Sequence, residues 1–102
     1  MKIPDNLIYS IDHEWIKINT NECIIGITEY AQGELGDIVF MELPDIGLKL
    51  SKGESVAIIE AVKTVADLFA PITGEIIKIN KNLLDNPELI NTDPYGEGWI
   101  VK

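Results

Sequence analysis

Residues 14–19, EWIKIN, alternate apolar and polar, with Ile16 and Ile18 on one side and Trp15 and Lys17 on the other. A period of two predicts a strand. Asn19, Thr20 and Asn21 form a polar cluster suited to a tight turn, and residues 22–28, ECIIGIT, are again β-branched and strand-like. The two runs are expected to pair as a hairpin. At Thr28 the pattern changes. Thr28 can cap a short helix in TEYAQGELG, Ala31 and Leu35 stack four apart, and Gly36 can end it. Gly33 inside that helix costs about 1 kcal/mol. DIVFMEL returns to strand and stops at Pro44; PDIG and SKGE are turn sequences that leave LKL as a short strand between them. PITGEIIKIN reads as a turn and then a strand with Ile77 and Ile79 on the core face. KNLLDNPELIN is polar and broken by Pro87, DPYGEG is a loop, and WIVK is a last short strand. Many short strands spaced by Gly and Pro turns predict a mainly β sandwich or barrel.

Residues 55–70 fit two patterns. Val56, Ile59, Val62, Ala66 and Phe69 would make a helical stripe. The density of β-branched residues favours two strands meeting near Lys63. No Gly or Asn stands there to make the usual two-residue hairpin turn, so strands lead only modestly. Lys63 itself interrupts an apolar run, which is the oddest feature of the chain.

With 102 residues, the chain is expected to be one domain over residues 1–102. The net charge of −9 excludes an electrostatic grip on nucleic acid or anionic membranes and suits basic protein partners. Cys23 is the only cysteine and His13 the only histidine, so neither an internal disulfide nor a multi-histidine metal site is expected. Cys23 alternates with Ile25 and Ile27 and reads as core; HEW reads as structural, and Trp99 as a closing core residue. The N-terminal residues lack a signal-peptide pattern and no apolar run reaches membrane length, so a cytoplasmic protein is expected.

Two stretches, LSKGESVAII and INKNLLDNPELI, repeat one order of apolar, Lys-containing turn, acidic and apolar residues on either side of Lys63. That echo and the central lysine suggest a lipoyl or biotinyl carrier. The surrounding text is more specific: YSIDHEWIKI, IIGITEYAQGELGDIVFMELPDIG, IEAVKTVADLFAPITGEI and NPELINTDPYGEGWIVK. In this order, from about Tyr9 to Lys102, they resemble the glycine cleavage system H protein family. Biotin carriers flank their lysine with methionines, and acyltransferase lipoyl domains place Asp before it; here the flanks are Val62 and Thr64.

The resemblance implies a flattened barrel or sandwich of two half-sheets with one or two short helices. It implies a non-catalytic carrier with lipoate joined as an amide to Lys63. Glu60 and Asp67 would aid recognition by the lipoyl ligase or lipoyl/octanoyl transferase. Glu14, Asp67 and Asp12 would line a cleft that shelters the amine of the loaded arm. The implied partners are a pyridoxal-phosphate glycine decarboxylase, a tetrahydrofolate-dependent aminomethyltransferase and dihydrolipoyl dehydrogenase, and the implied state is a monomer. A lipoate relay or redox-signalling carrier would need the same presented lysine, so that alternative stays open. Family members commonly continue past GWIVK with a C-terminal helix, whereas this sequence ends at Lys102.

Overall fold

The computed structural model describes residues 4–102. Three strands, β1 (Ile8–Tyr9), β2 (Glu14–Asn19) and β3 (Glu22–Ile27), form the first antiparallel sheet. The β2–β3 register runs from Glu14 opposite Ile27 to Asn19 opposite Glu22, so the expected hairpin is present with a Thr20-Asn21 loop. Alternation alone misjudges which positions are covered. Trp15 and Ile16 are both buried while Ile18 is exposed, because the two faces of β2 are roofed only near its start. Trp15 lies across Gly26, its register partner, and its indole N–H donates to the Pro94 carbonyl at 2.9 Å.

Helix α1 (Glu29–Leu35) starts and stops as its caps dictate. The Thr28 hydroxyl accepts from the Ala31 amide, and Gly36, at φ 81°, donates its amide to the Gln32 carbonyl. The chain then enters β4 (Ile38–Glu42), passes through β5 (Lys49–Leu50), and forms the long hairpin of β6 (Ser55–Ala61) and β7 (Val65–Phe69). The second sheet has the order β4–β6–β7, and β5 pairs with β8 (Gly74–Glu75). The segment 55–70 is therefore two strands, and the helical stripe is absent: Val62 and Phe69 face solvent.

The run after Pro71 corrects the expected core face. Ile76 is buried, Ile77 is exposed and Ile79 is partly covered. The backbone sets this phase, because Ile76 donates to the Leu48 carbonyl on one side and Ile77 to Lys102 on the other. The segment carrying WIVK does close the fold: Val101 bridges both Ile25 and Ile79. The echoed stretches differ in structure. The first holds the end of β5 and most of β6; the second holds the four-residue helix α2 (Asn82–Asp85) and the start of α3 (Leu89–Thr92). Among the described residues the fold is mainly β, with three antiparallel sheets that do not close into one barrel and three short helices.

One core joins these layers. Met41, Ile59 and Leu68 of the second sheet meet Ile25 and Ile27 of the first, with Leu83, Ile90 and Ile100 sealing the end. Among the described residues, no buried side-chain nitrogen or oxygen lacks a hydrogen-bond partner. Cys23 is only half-buried, at the margin of this core. Trp99 is half-buried too, with the Lys102 ammonium 5.3 Å from its ring centre.

Candidate functional site

The β6–β7 hairpin places Lys63 at its tip. Glu60 and Val65 are the last paired residues, and the Ala61 amide donates to the Thr64 carbonyl at 2.8 Å, closing a turn around Val62 and Lys63. Val62, Lys63 and Thr64 all keep negative φ. The turn therefore needs neither Gly nor Asn, which removes the objection that the sequence raises against a hairpin here. Val62 and Lys63 are exposed.

The tip does not stand alone. The Val62 amide donates to the Asp37 carbonyl at 3.0 Å, which ties the turn to the loop between α1 and β4. Asn91 on α3 in turn fixes that loop. Its side-chain amide donates to the Gly36 carbonyl at 2.8 Å and to Gln32, and its side-chain oxygen accepts from the Ile38 amide. The lysine stem passes Gly36: a Cβ there would lie 3.4 Å from Lys63 Cε, in van der Waals contact.

Beside the tip is an open groove of about 340 Å³. Ile27, Ile59 and Ala66 contribute to its apolar lining, and Asp12, Glu34 and Asp67 bring carboxyl groups to it. His13 and Tyr30 complete one side, their ring centres 4.7 Å apart. A hydrogen bond to Glu34 holds the Tyr30 hydroxyl above its usual pKa of 10.0, and the Glu34 charge and burial push the same way. His13 reads as structural in the sequence, and Tyr30 and Glu34 do not stand out there. Tyr30 and Glu34 are four apart on α1, beside the Ala31–Leu35 pair, and that helical spacing is the signal that could have found them.

The predicted site residues besides Lys63 take three places. Asp12 and Asp67 line the groove, and Asp67 also accepts from the Ser55 hydroxyl at 2.9 Å. Glu60 is half-buried in the row next to the tip, between Phe40 and Val65. Glu14 lies underneath: it is 2% exposed, accepts from the Ser10 hydroxyl at 2.9 Å, and accepts from the Phe69 amide at 2.9 Å. Its carboxylate thus satisfies the free edge of β7 and links the two larger sheets.

Burial pushes the Glu14 carboxyl above its usual value of 4.5; the Ser10 and Phe69 hydrogen bonds pull it down, and the Asp12 charge pushes it up. The net direction is upward, so the native state keeps a proton that the unfolded chain has lost. The stability this group contributes is full below about pH 4.5 and is lost as pH rises through the raised native value. Glu14→Gln removes the titration and keeps an acceptor for the Phe69 amide. The stability difference between variant and wild type should shift in favour of the variant with rising pH across that window, then level off. A pH-independent difference in urea titrations would refute this.

The Glycine cleavage H-protein family matches residues 7–102. The chain belongs to the glycine cleavage H-protein family. It is 52% identical to the Listeria welshimeri glycine cleavage system H protein over 102 residues, covering all of this chain and 82% of the relative. It is 51% identical to the Herpetosiphon aurantiacus protein of the same name over 100 residues, covering 98% of this chain and 78% of the relative. The fold superposes on the crystal structure of a Mycobacterium marinum glycine cleavage system H protein with a TM-score of 0.90 and 44% identity, covering 97% of this chain and 83% of that one. H proteins are carrier components of the glycine cleavage system and not catalysts. Membership makes this chain a lipoyl carrier of that system and implies interaction with its other components. Among the described residues, no helix is long and apolar enough to cross a membrane.

Proposed function

We propose that Lys63 carries lipoate as an amide and that this chain, in the cytoplasm, takes the aminomethyl group from glycine decarboxylase to the tetrahydrofolate-dependent aminomethyltransferase. Dihydrolipoyl dehydrogenase then reoxidises the carrier. The observation that supports this reading most is an exposed lysine on a rigid hairpin tip beside an acid-lined groove.

When attached, lipoate supplies a cyclic disulfide that a carbon nucleophile can open and a flavin enzyme can restore. The protein's own residues present, frame and shelter. The turn and the Val62–Asp37 hydrogen bond hold the Lys63 backbone, and the lysine stem passes Gly36. Attachment needs the neutral amine. Its nitrogen attacks the acyl carbon of an acyl adenylate or acyl thioester, the amide forms, and the adenylate or thiol leaves as the amine loses its proton. Glu60 and Asp67 flank the tip as recognition groups for the attaching enzyme. Asp12 and Asp67 are the proposed acceptors for a cationic amine in the groove, where a charge-assisted contact contributes about 1.5–3 kcal/mol. Glu14 supports them from below by fixing β7.

The test is an exchange assay. Protein treated with lipoate ligase, ATP and lipoate should gain one lipoyl group on the peptide containing Lys63. It should then support glycine-dependent carbon dioxide exchange by glycine decarboxylase. Fully lipoylated protein that fails in exchange, yet donates lipoyl groups to other apo-proteins, would replace the shuttle with the relay.

A further inference from the structure

The β4–β6–β7 sheet packs only one of its faces. The register puts Phe40, Glu60 and Val65 in one row and Glu42, Ile58 and Asp67 in the next, with Phe69 beyond them opposite Ser55. Their sequence neighbours Met41, Ile59 and Leu68 point the other way and are each 1% exposed, in the core. On the outward face Phe40 remains 50% exposed, Val65 60% and Phe69 38%. The rows hold three carboxyl groups, Glu42, Glu60 and Asp67, and no lysine. Large apolar side chains grouped on an acid-rimmed surface mark an interaction site, and aromatic anchors dominate the energetics of such sites.

We propose that this outer face is the docking surface for the enzyme that acylates Lys63, and that the enzyme meets it with an apolar patch rimmed by cations. The proposal rests on the reading of Lys63 as the attachment site. Its first row is the last strand pair before the Lys63 turn, so the face is continuous with the tip. Reach selects the partner. Enzymes that use the loaded carrier meet a lysine extended by an acyl chain and a ring, and can stand back from the sheet. The attaching enzyme meets a bare lysine with only its four-carbon stem, and must bring its catalytic centre against the residues beside the tip.

Charge narrows the choice further. A second copy using the same face about a two-fold axis would set these carboxylates against their own counterparts. A basic rim on the partner turns that repulsion into attraction and speeds encounter. The groove is lined from the core-facing side by Ile59 and Ala66 and meets the outer face at Asp67.

The experiment compares apo-protein variants as substrates of a lipoate ligase supplied with ATP and lipoate, using intact mass to follow initial rates over a range of carrier concentrations. Phe40→Ser with Val65→Ser should lower kcat/KM about tenfold or more, mainly through KM. Lys63 should still be acylated at long times. Leu84→Ser removes an equally exposed apolar side chain on α2 and should leave the rate unchanged. Circular dichroism and thermal midpoints establish that the variants are folded. Should the double variant misfold, Glu60→Lys carries the same test and should also raise KM. Wild-type rates in the folded double variant, or in Glu60→Lys where the double variant misfolds, overturn the docking face and leave Lys63 as the attachment site. Wild-type protein that is never acylated at Lys63 overturns the reading beneath the proposal instead. A concentration-dependent wild-type dimer that Phe40→Ser with Val65→Ser dissolves, with equal acylation rates, assigns the face to a second copy and also overturns the proposal.

Discussion

Lys63→Arg should abolish lipoylation and glycine-dependent exchange while leaving the protein folded. Position 63 is exposed, at negative φ, in a turn closed by backbone hydrogen bonds, so the fold takes nothing from the lysine side chain that arginine cannot replace. A surface change of this kind costs within about 0.5 kcal/mol. The chemistry is not conserved. Acylation needs a neutral amine, and a guanidinium stays protonated at every accessible pH. Intact mass after exhaustive ligase treatment should show no added lipoyl group, against complete conversion of the wild type. Seven other lysines remain in the chain of eight cations, so the result also reads selectivity. Lipoyl mass on the variant at the wild-type level would move the attachment site elsewhere and remove the basis for the carrier geometry.

The largest loss of stability is expected from Gly26→Ala. A methyl group there would lie 2.6 Å from Trp15 Cε2 and Nε1, closer than non-bonded atoms approach. The indole cannot swing aside cheaply: it is 1% exposed and its N–H is fixed on the Pro94 carbonyl. Overpacking of this kind costs about 1–3 kcal/mol, and the loss of the Trp15–Pro94 bond would add about 1 kcal/mol if the ring moves. At roughly 4–8 °C per kcal/mol for a domain of this size, the thermal midpoint should fall by about 4 °C or more. A midpoint within a degree or two of wild type would show that the ring relaxes freely.

Much of this fold is legible in the chain because local signals agree. The β2–β3 hairpin follows from alternation around a polar loop, and α1 from Thr28 and Gly36, whose caps form as expected. Sequence falters where tertiary contacts set the phase. Ile76 rather than Ile77 is buried because Leu48 and Lys102 fix that backbone from both sides. Alternation within Glu14–Asn19 could not show that Trp15 is roofed, since the roof comes from Gly26 and Pro94. The site divides in the same way. Lys63 is conspicuous as a cation in an apolar run, and Asp12 and Asp67 do reach one groove. The family resemblance makes Glu14 another groove carboxylate, yet its oxygens are taken by Ser10, four residues away, and by Phe69, a contact between distant segments that no local pattern announces.

The Asn91 side chain gives the chain a clock. Three hydrogen bonds from this amide hold residues 32, 36 and 38, and residue 37 holds the turn that carries Lys63. Synthesis runs from the N-terminus, so the lysine leaves the ribosome before the residue that secures its frame. A nascent or truncated chain can contain the whole EAVKTV motif and still lack the completed frame around it. The completed frame of the attachment site therefore includes α3, which carries Asn91.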